Sequence, residues 1–173
     1  MEAKNFEDYD GPTLLLIRHS EITPGNVSRM KAPQKTYYVC GGFTKTPWKD
    51  EQKHTGSWET VVFTLTPRFR LYTPRPDGNQ NFSFLNTKPD SKIGLGFGGN
   101  EDGNYKLWID ENIAAGSYTT ENDGTFVKGA LVEPNTTKLN VSMIMIIPLT
   151  FHLDWTDRSV GISRRKFLDQ ETI

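Results

Sequence analysis

Glu59 stands at the mouth of an apolar run, Val61-Val62-Phe63-Thr64-Leu65, behind Gly56. A carboxylate so placed can serve as a general base or grip a partner, or it can anchor nearby backbone amides and hold its loop; the anchoring role is the simpler reading. The other reactive residue types are scattered. His19, His54 and His152 lie far apart and Cys40 is the one cysteine, so neither the paired ligand spacing of a zinc site nor an internal disulfide can be read from them. Cys40 falls in a strand-like stretch and reads as a buried, inert thiol rather than a nucleophile. Gly94 to Gly99 spells G-x-G-x-x-G, which binds a dinucleotide only where the glycines open a helix whose N-terminus holds the pyrophosphate. Here turn formers and a second strand come next, so no cofactor is expected. Asn100-Glu101-Asp102-Gly103-Asn104 offers oxygen ligands without the spaced acids and closing glutamate of a calcium loop, and reads as a turn. With no triad, dyad or metal cluster, the sequence predicts a protein that is not an enzyme.

The elements around these residues are organised by the stretch from Ile93 to Gly116. Ile93 to Gly99 and Tyr105 to Asp110 are two strand-like segments on either side of the Asn100–Asn104 turn, and the glycines allow positive φ and close backbone approach. A β-hairpin is predicted. Asp110 to Gly116 comes next as one or two helical turns, with Asp110 as N-cap and Gly116 as stop.

In chain order, Met1 to Asp10 reads as a flexible leader, and Thr13 to Arg18 as a buried strand after the breaker Gly11-Pro12. His19 to Lys35 is polar and aperiodic and reads as an inserted surface loop. Strand character returns at Thr36–Phe43, Glu59–Leu65, Phe69–Tyr72, Asn81–Leu85, Lys138–Ile147 and Thr150–Trp155, with turn-rich polar stretches between them. Residues 156–173 read as a disordered basic tail carrying Arg164-Arg165-Lys166. The organisation is thus a leader over 1–10, a domain over 11–155 and a tail over 156–173. Many short strands with little helical period indicate a mostly β (α+β) fold, a two-sheet antiparallel β-sandwich with a few short helices.

Composition narrows the function classes. The 173 residues suit one domain. A net charge of -1, with 24% charged residues, supplies no field that would draw the chain onto nucleic acid. The longest apolar run, Met143 to Ile147, falls far short of the roughly 20 residues a membrane helix needs, so no membrane insertion is expected. The single cysteine suggests an intracellular, cytoplasmic chain, and the glycosylation-like triplets at Asn26, Asn81, Asn135 and Asn140 are weak patterns.

Several motifs in order resemble the TLD (TLDc) domain, the module shared by oxidation-resistance proteins and certain TBC-domain proteins. Gly11 to Ile17 is similar to its first core strand, and Gly41-Gly42-Phe43 through Pro47-Trp48 to the next segment of that domain. Gly56 to Tyr72 resembles its glycine, glutamate, strand, proline, aromatic and tyrosine series. Phe97-Gly98-Gly99 resembles its glycine block, and Leu107-Trp108-Ile109-Asp110 with Gly116-Ser117 resembles the apolar strand and Gly-Ser pair after that block. Trp58 departs from the pattern, standing where a second glycine is common.

The resemblance implies a protein-interaction module active in oxidative-stress protection and in binding and regulating the vacuolar-type proton ATPase. The family-motif positions Gly56, Glu59, Phe97, Gly98, Gly99, Trp108, Asp110 and Gly116 are the implied binding residues. Two other readings stay open: a structural subunit using a TLD-like body inside a larger assembly, and an enzyme of unknown reaction using Glu59.

Overall fold

The structure is a computed structural model that describes residues 9–23, 34–89, 92–100, 102–120, 122–131 and 138–149. The described strands are β1 (Thr13–Thr23), β2 (Gln34–Thr44), β3 (His54–Thr55), β4 (Val61–Thr66), β5 (Arg70–Tyr72), β6 (Ser83–Asn86), β7 (Gly94–Phe97), β8 (Leu107–Asp110), β9 (Ala115–Ser117) and β10 (Lys138–Pro148). They form one 10-stranded sheet in the order β3-β6-β7-β8-β9-β10-β1-β2-β4-β5, antiparallel throughout.

The mostly β class is as the sequence predicts. The division into two sheets is not found, and the described residues contain no helix. β10 makes the difference. Its start pairs with β9 (Leu139 with Gly116) while its later residues pair with β1 (Leu15 with Ile146), so one long strand stitches both halves into a single ladder. Where consecutive Arg18 and His19 face Met143 and Val141, Ser142 is the extra residue of a bulge on β10, the kind of insertion that bends and twists a strand.

The sheet curls around one core. Phe97 of β7 is fully buried, and its ring meets Trp48 edge-on at 5.3 Å between centroids. It also lies so close to Gly42 of β2 that a Cβ there would sit 2.5 Å from the ring. β7 and β2 are not neighbours in the ladder, so this contact is made across the core. Leu15, Ile17, Val62, Leu107, Ile109 and Leu139 fill the same cluster. Trp48 Nε1 donates to Thr13 Oγ1 at 2.8 Å, which gives the buried indole N–H its partner.

Two local expectations are corrected. β1 runs on to Thr23 and β2 begins at Gln34, so both described ends of the predicted His19–Lys35 loop, residues 19–23 and 34–35, are paired strand, with His19 opposite Tyr38 and Glu21 opposite Thr36. Pairing with β2 overrides a stretch that shows no apolar alternation of its own. The predicted helical turns at Asp110–Gly116 are a tight turn leading into β9, with Ile113 at φ 57 and its N–H bonded to Asp110 O at 3.1 Å. Asp110 does cap backbone as expected, but the amide it accepts is Ala115 N–H at 3.3 Å, in a turn instead of a helix. The Thr150–Trp155 strand, the tail at 156–173 and the leader up to residue 8 lie outside the described residues. No helix of the described residues is long and apolar enough to cross a membrane.

Candidate functional site

The predicted glycine hairpin is present. β7 pairs with β8 in register from Gly94 with Asp110 to Phe97 with Leu107. The glycines continue past β7 into a turn, with no helix behind them, so the geometry that holds a pyrophosphate is missing from this G-x-G-x-x-G. Gly98 and Gly99 have φ values of 76 and 145, a region where side chains are strained. Space forbids side chains as well: a Cβ on Gly98 would sit 2.7 Å from Asp123 Oδ1, and one on Gly99 would sit 2.7 Å from His54 Nε2.

This glycine pair is the hub of a polar network. Asn79 and Asn81 each donate a side-chain N–H to Gly99 O at 2.8 Å, and the Thr125 hydroxyl donates to Asn79 Oδ1. Gly99 N–H donates to Asp123 O at 3.1 Å, and Gly98 N–H to Phe82 O at 3.2 Å. Asp123 is fully buried, and its Oδ1 accepts from Thr125 N–H at 3.0 Å and Phe126 N–H at 2.8 Å. Burial pushes its carboxyl above the usual range, while those amides and the Lys106 charge pull it back. Lys106 is fully buried too; its Nζ donates to Val127 O at 2.9 Å and Gly129 O at 2.8 Å and lies 4.2 Å from the Tyr72 ring centre. Burial brings it down to about 8, opposed by Asp123. His54 stacks on Tyr105 with centroids 6.0 Å apart, and burial holds it below its ordinary value against a bond to Gly98 backbone. Its Nε2 and Asp123 Oδ2 are buried without a hydrogen-bond partner. The network is a clamp that fixes the hairpin; no nucleophile stands beside a base in it.

Beside the hairpin lies an open surface hollow of about 320 Å³, lined by Lys92, Ile93, Trp108, Asp110, Glu111 and Asn112. Trp108 forms its floor, with Lys92 Nζ 4.2 Å from the indole ring centre and Tyr105 packed 4.5 Å away between centroids. Burial lowers the Lys92 ammonium below its usual range.

The structure therefore gathers Phe97, Trp108, Asp110 and Gly116 on the neighbouring strands β7, β8 and β9, with Gly98 and Gly99 directly after β7, because Gly116 pairs with Ile109. A Cβ on Gly116 would sit 2.6 Å from Trp108 O. Phe97 is core. Gly56, at φ 107, fits against Phe82 Cβ and Ser83 Oγ at the start of β6, the strand beside β7.

Glu59 is exposed, and it contacts Lys45 Nζ at 2.9 Å and the Ser57 hydroxyl at 3.4 Å. Its loop is anchored instead by buried Thr60, whose N–H donates to Ser57 O at 2.9 Å while its Oγ1 accepts from Ser57 N–H at 3.3 Å. Glu59→Gln is therefore expected to leave thermal stability within about 0.5 kcal/mol of the parent, because exposed ion pairs contribute little. A loss of several kcal/mol by calorimetry would restore the carboxylate as an anchor. Cys40 is buried as predicted, and burial pushes its thiol up to about 12. Sequence reading weighed His54 only as a zinc ligand and gave Lys106 and Asp123 no role.

A single antiparallel sheet locked around a glycine hairpin defines a mostly β domain. The chain belongs to the TLDc domain family, whose match spans residues 3–144. It is 29% identical over 107 residues to MTOR-associated protein MEAK7 of Xenopus laevis, covering 61% of this chain and 20% of that protein. It is 30% identical over 107 residues to Oxidation resistance protein 1 of Bos taurus, covering 62% of this chain and 10% of that protein. The chain thus spans a small part of the curated relatives it matches.

Proposed function

We propose that this TLDc domain is a protein-interaction module that acts in oxidative-stress protection by engaging the vacuolar-type proton ATPase on its cytoplasmic side, without catalysis of its own. The observation that carries the reading is the family match over residues 3–144. The names of the two relatives, one an oxidation resistance protein and one associated with MTOR, support a role exercised through other proteins. The exposure of Glu59 and its pairing with Lys45 weigh against the enzyme reading, since a general base works best from a sheltered site beside its substrate.

The test uses the full chain and the purified peripheral sector of the pump. Co-migration in gel filtration at about 10 μM, together with altered reassembly of that sector on its membrane part, is expected. Absence of both overturns the proposal. A structural subunit held permanently inside a larger assembly would instead co-fractionate with that assembly and never exchange onto added pump.

A further inference from the structure

The outward face of the β10-β1-β2-β4-β5 half of the sheet is apolar. Strand alternation points Leu15, Ile17 and Val62 into the core, so their neighbours point out. Tyr37, Leu65, Leu71, Met143 and Met145 lie on these strands and Phe69 in the turn between β4 and β5. They are six of the eight large apolar side chains that stand exposed among the described residues, Leu71 at 49% and Met145 at 46%.

Registers align one row straight across the face: Met145 opposite Leu16, Leu16 opposite Gly41, Gly41 opposite Phe63 and Phe63 opposite Leu71. Gly41 has no side chain and the Phe63 ring leans over it, with its Cζ 3.2 Å from where a Cβ would be; both are buried, so the row is closed at its centre and exposed at its ends, Met145 and Leu71. One end of the face is cationic. Arg18 and Lys35 both lie 5.3 Å from the Tyr37 ring centre. Arg18 Nε donates to Ser142 Oγ at 3.1 Å, and neither cation forms an ion pair with a described carboxylate. Large apolar patches on soluble domains mark interaction sites, unpaired cations beside them select acidic partners, and methionine adapts to varied side chains.

We infer that this face docks an amphipathic segment of a partner protein, its apolar side chains covering the Met145–Leu71 row and its carboxylates meeting Arg18 and Lys35. The inference rests on the protein-interaction reading and names the surface that carries it. The probe is a synthetic amphipathic helical peptide of about 18 residues with leucines and methionines on one face and glutamates at one end, compared with the same peptide carrying lysines in their place.

Fluorescence anisotropy with the full chain is expected to show the acidic peptide binding about tenfold tighter than the basic one, with Met145→Asp or Leu71→Asp removing about tenfold or more of that affinity and Arg18→Glu with Lys35→Glu reversing the preference. Circular dichroism checks that each variant stays folded. Equal binding of both peptides, or binding untouched by Met145→Asp and Leu71→Asp, overturns the inference. With Met145→p-benzoylphenylalanine in the full chain, photo-crosslinks to the acidic peptide support it. Crosslinks that persist on the chain's own residues 150–173 or on a second copy, with the peptide present in excess, assign the face to those occupants and overturn it. Capture of the proton pump that survives Met145→Asp and Leu71→Asp would leave the proposed function standing and this surface wrong. Face-dependent peptide binding without pump capture would do the reverse.

Discussion

Lys106→Met is expected to lower the free energy of unfolding by about 2–4 kcal/mol, since it strands two carbonyl acceptors and each stranded buried polar group costs about 1–3 kcal/mol. The side chain is fully buried, donates to two carbonyls, Val127 O and Gly129 O, and feels the field of the buried Asp123 carboxyl. Methionine fills most of the volume, but it leaves both carbonyls without a donor and the Asp123 charge without a counterion. Asp123→Asn, which can keep the acceptor of Thr125 and Phe126 N–H, should soften the Lys106→Met loss when the two are combined.

The same lysine gives the stability a pH signature. Its folded value of about 8 lies below the ordinary 10.5. Below about pH 8 both folded and unfolded chains carry the proton, and the fold bears the full cost of burying it. Between about pH 8 and 10.5 the unfolded chain holds a proton that the folded chain has released, so the stability due to this residue rises with pH. Chemical denaturation at pH 7.5 and 9.5 should therefore show the gap between the parent and Lys106→Met widening by about 1–2 kcal/mol, since each pH unit inside the window is worth up to about 1.4 kcal/mol. A gap that stays constant or narrows would mean that the ammonium is solvated in the folded chain.

The hairpin was legible because its signals are local. The hairpin can be read from glycines flanked by apolar residues and turn formers, all within one short stretch. The hidden part is set by distant partners. Lys106 sits between Tyr105 and Leu107 and looks like an outward charge; only the carbonyls at 127 and 129, brought by a separate loop, make its burial tolerable. Asp123 and Phe126 lie in a polar, turn-rich stretch and are nevertheless fully buried, because that stretch folds back onto Gly99 and Thr73 by backbone bonds. β3 and β9, two and three residues long, are too short to show a period. The number of sheets was illegible for a related reason: whether two ladders join depends on one strand, β10, having a partner on each side at different points along its length.

Phe97→Ala is expected to destabilise the chain by about 3–5 kcal/mol, since a fully buried ring is lost and a cavity left. The more searching experiment pairs it with Gly42→Ala. A methyl at Gly42 would point at the Phe97 ring from 2.5 Å, so alone it overpacks the core and should cost about 1–3 kcal/mol. Once the ring is gone the same methyl enters the vacated space, and its cost should fall to near zero. The double-mutant cycle is thus expected to show a coupling of about 1 kcal/mol or more, in the direction of the double variant being more stable than the sum of the singles. β2 and β7 share no ladder hydrogen bonds, so such a coupling can arise only if the curled sheet presses them together across the core. Strict additivity, measured by denaturant unfolding at constant slope, would mean that the two strands do not face each other in solution, and the clamp around Gly98 and Gly99 would then have no common core to rest on.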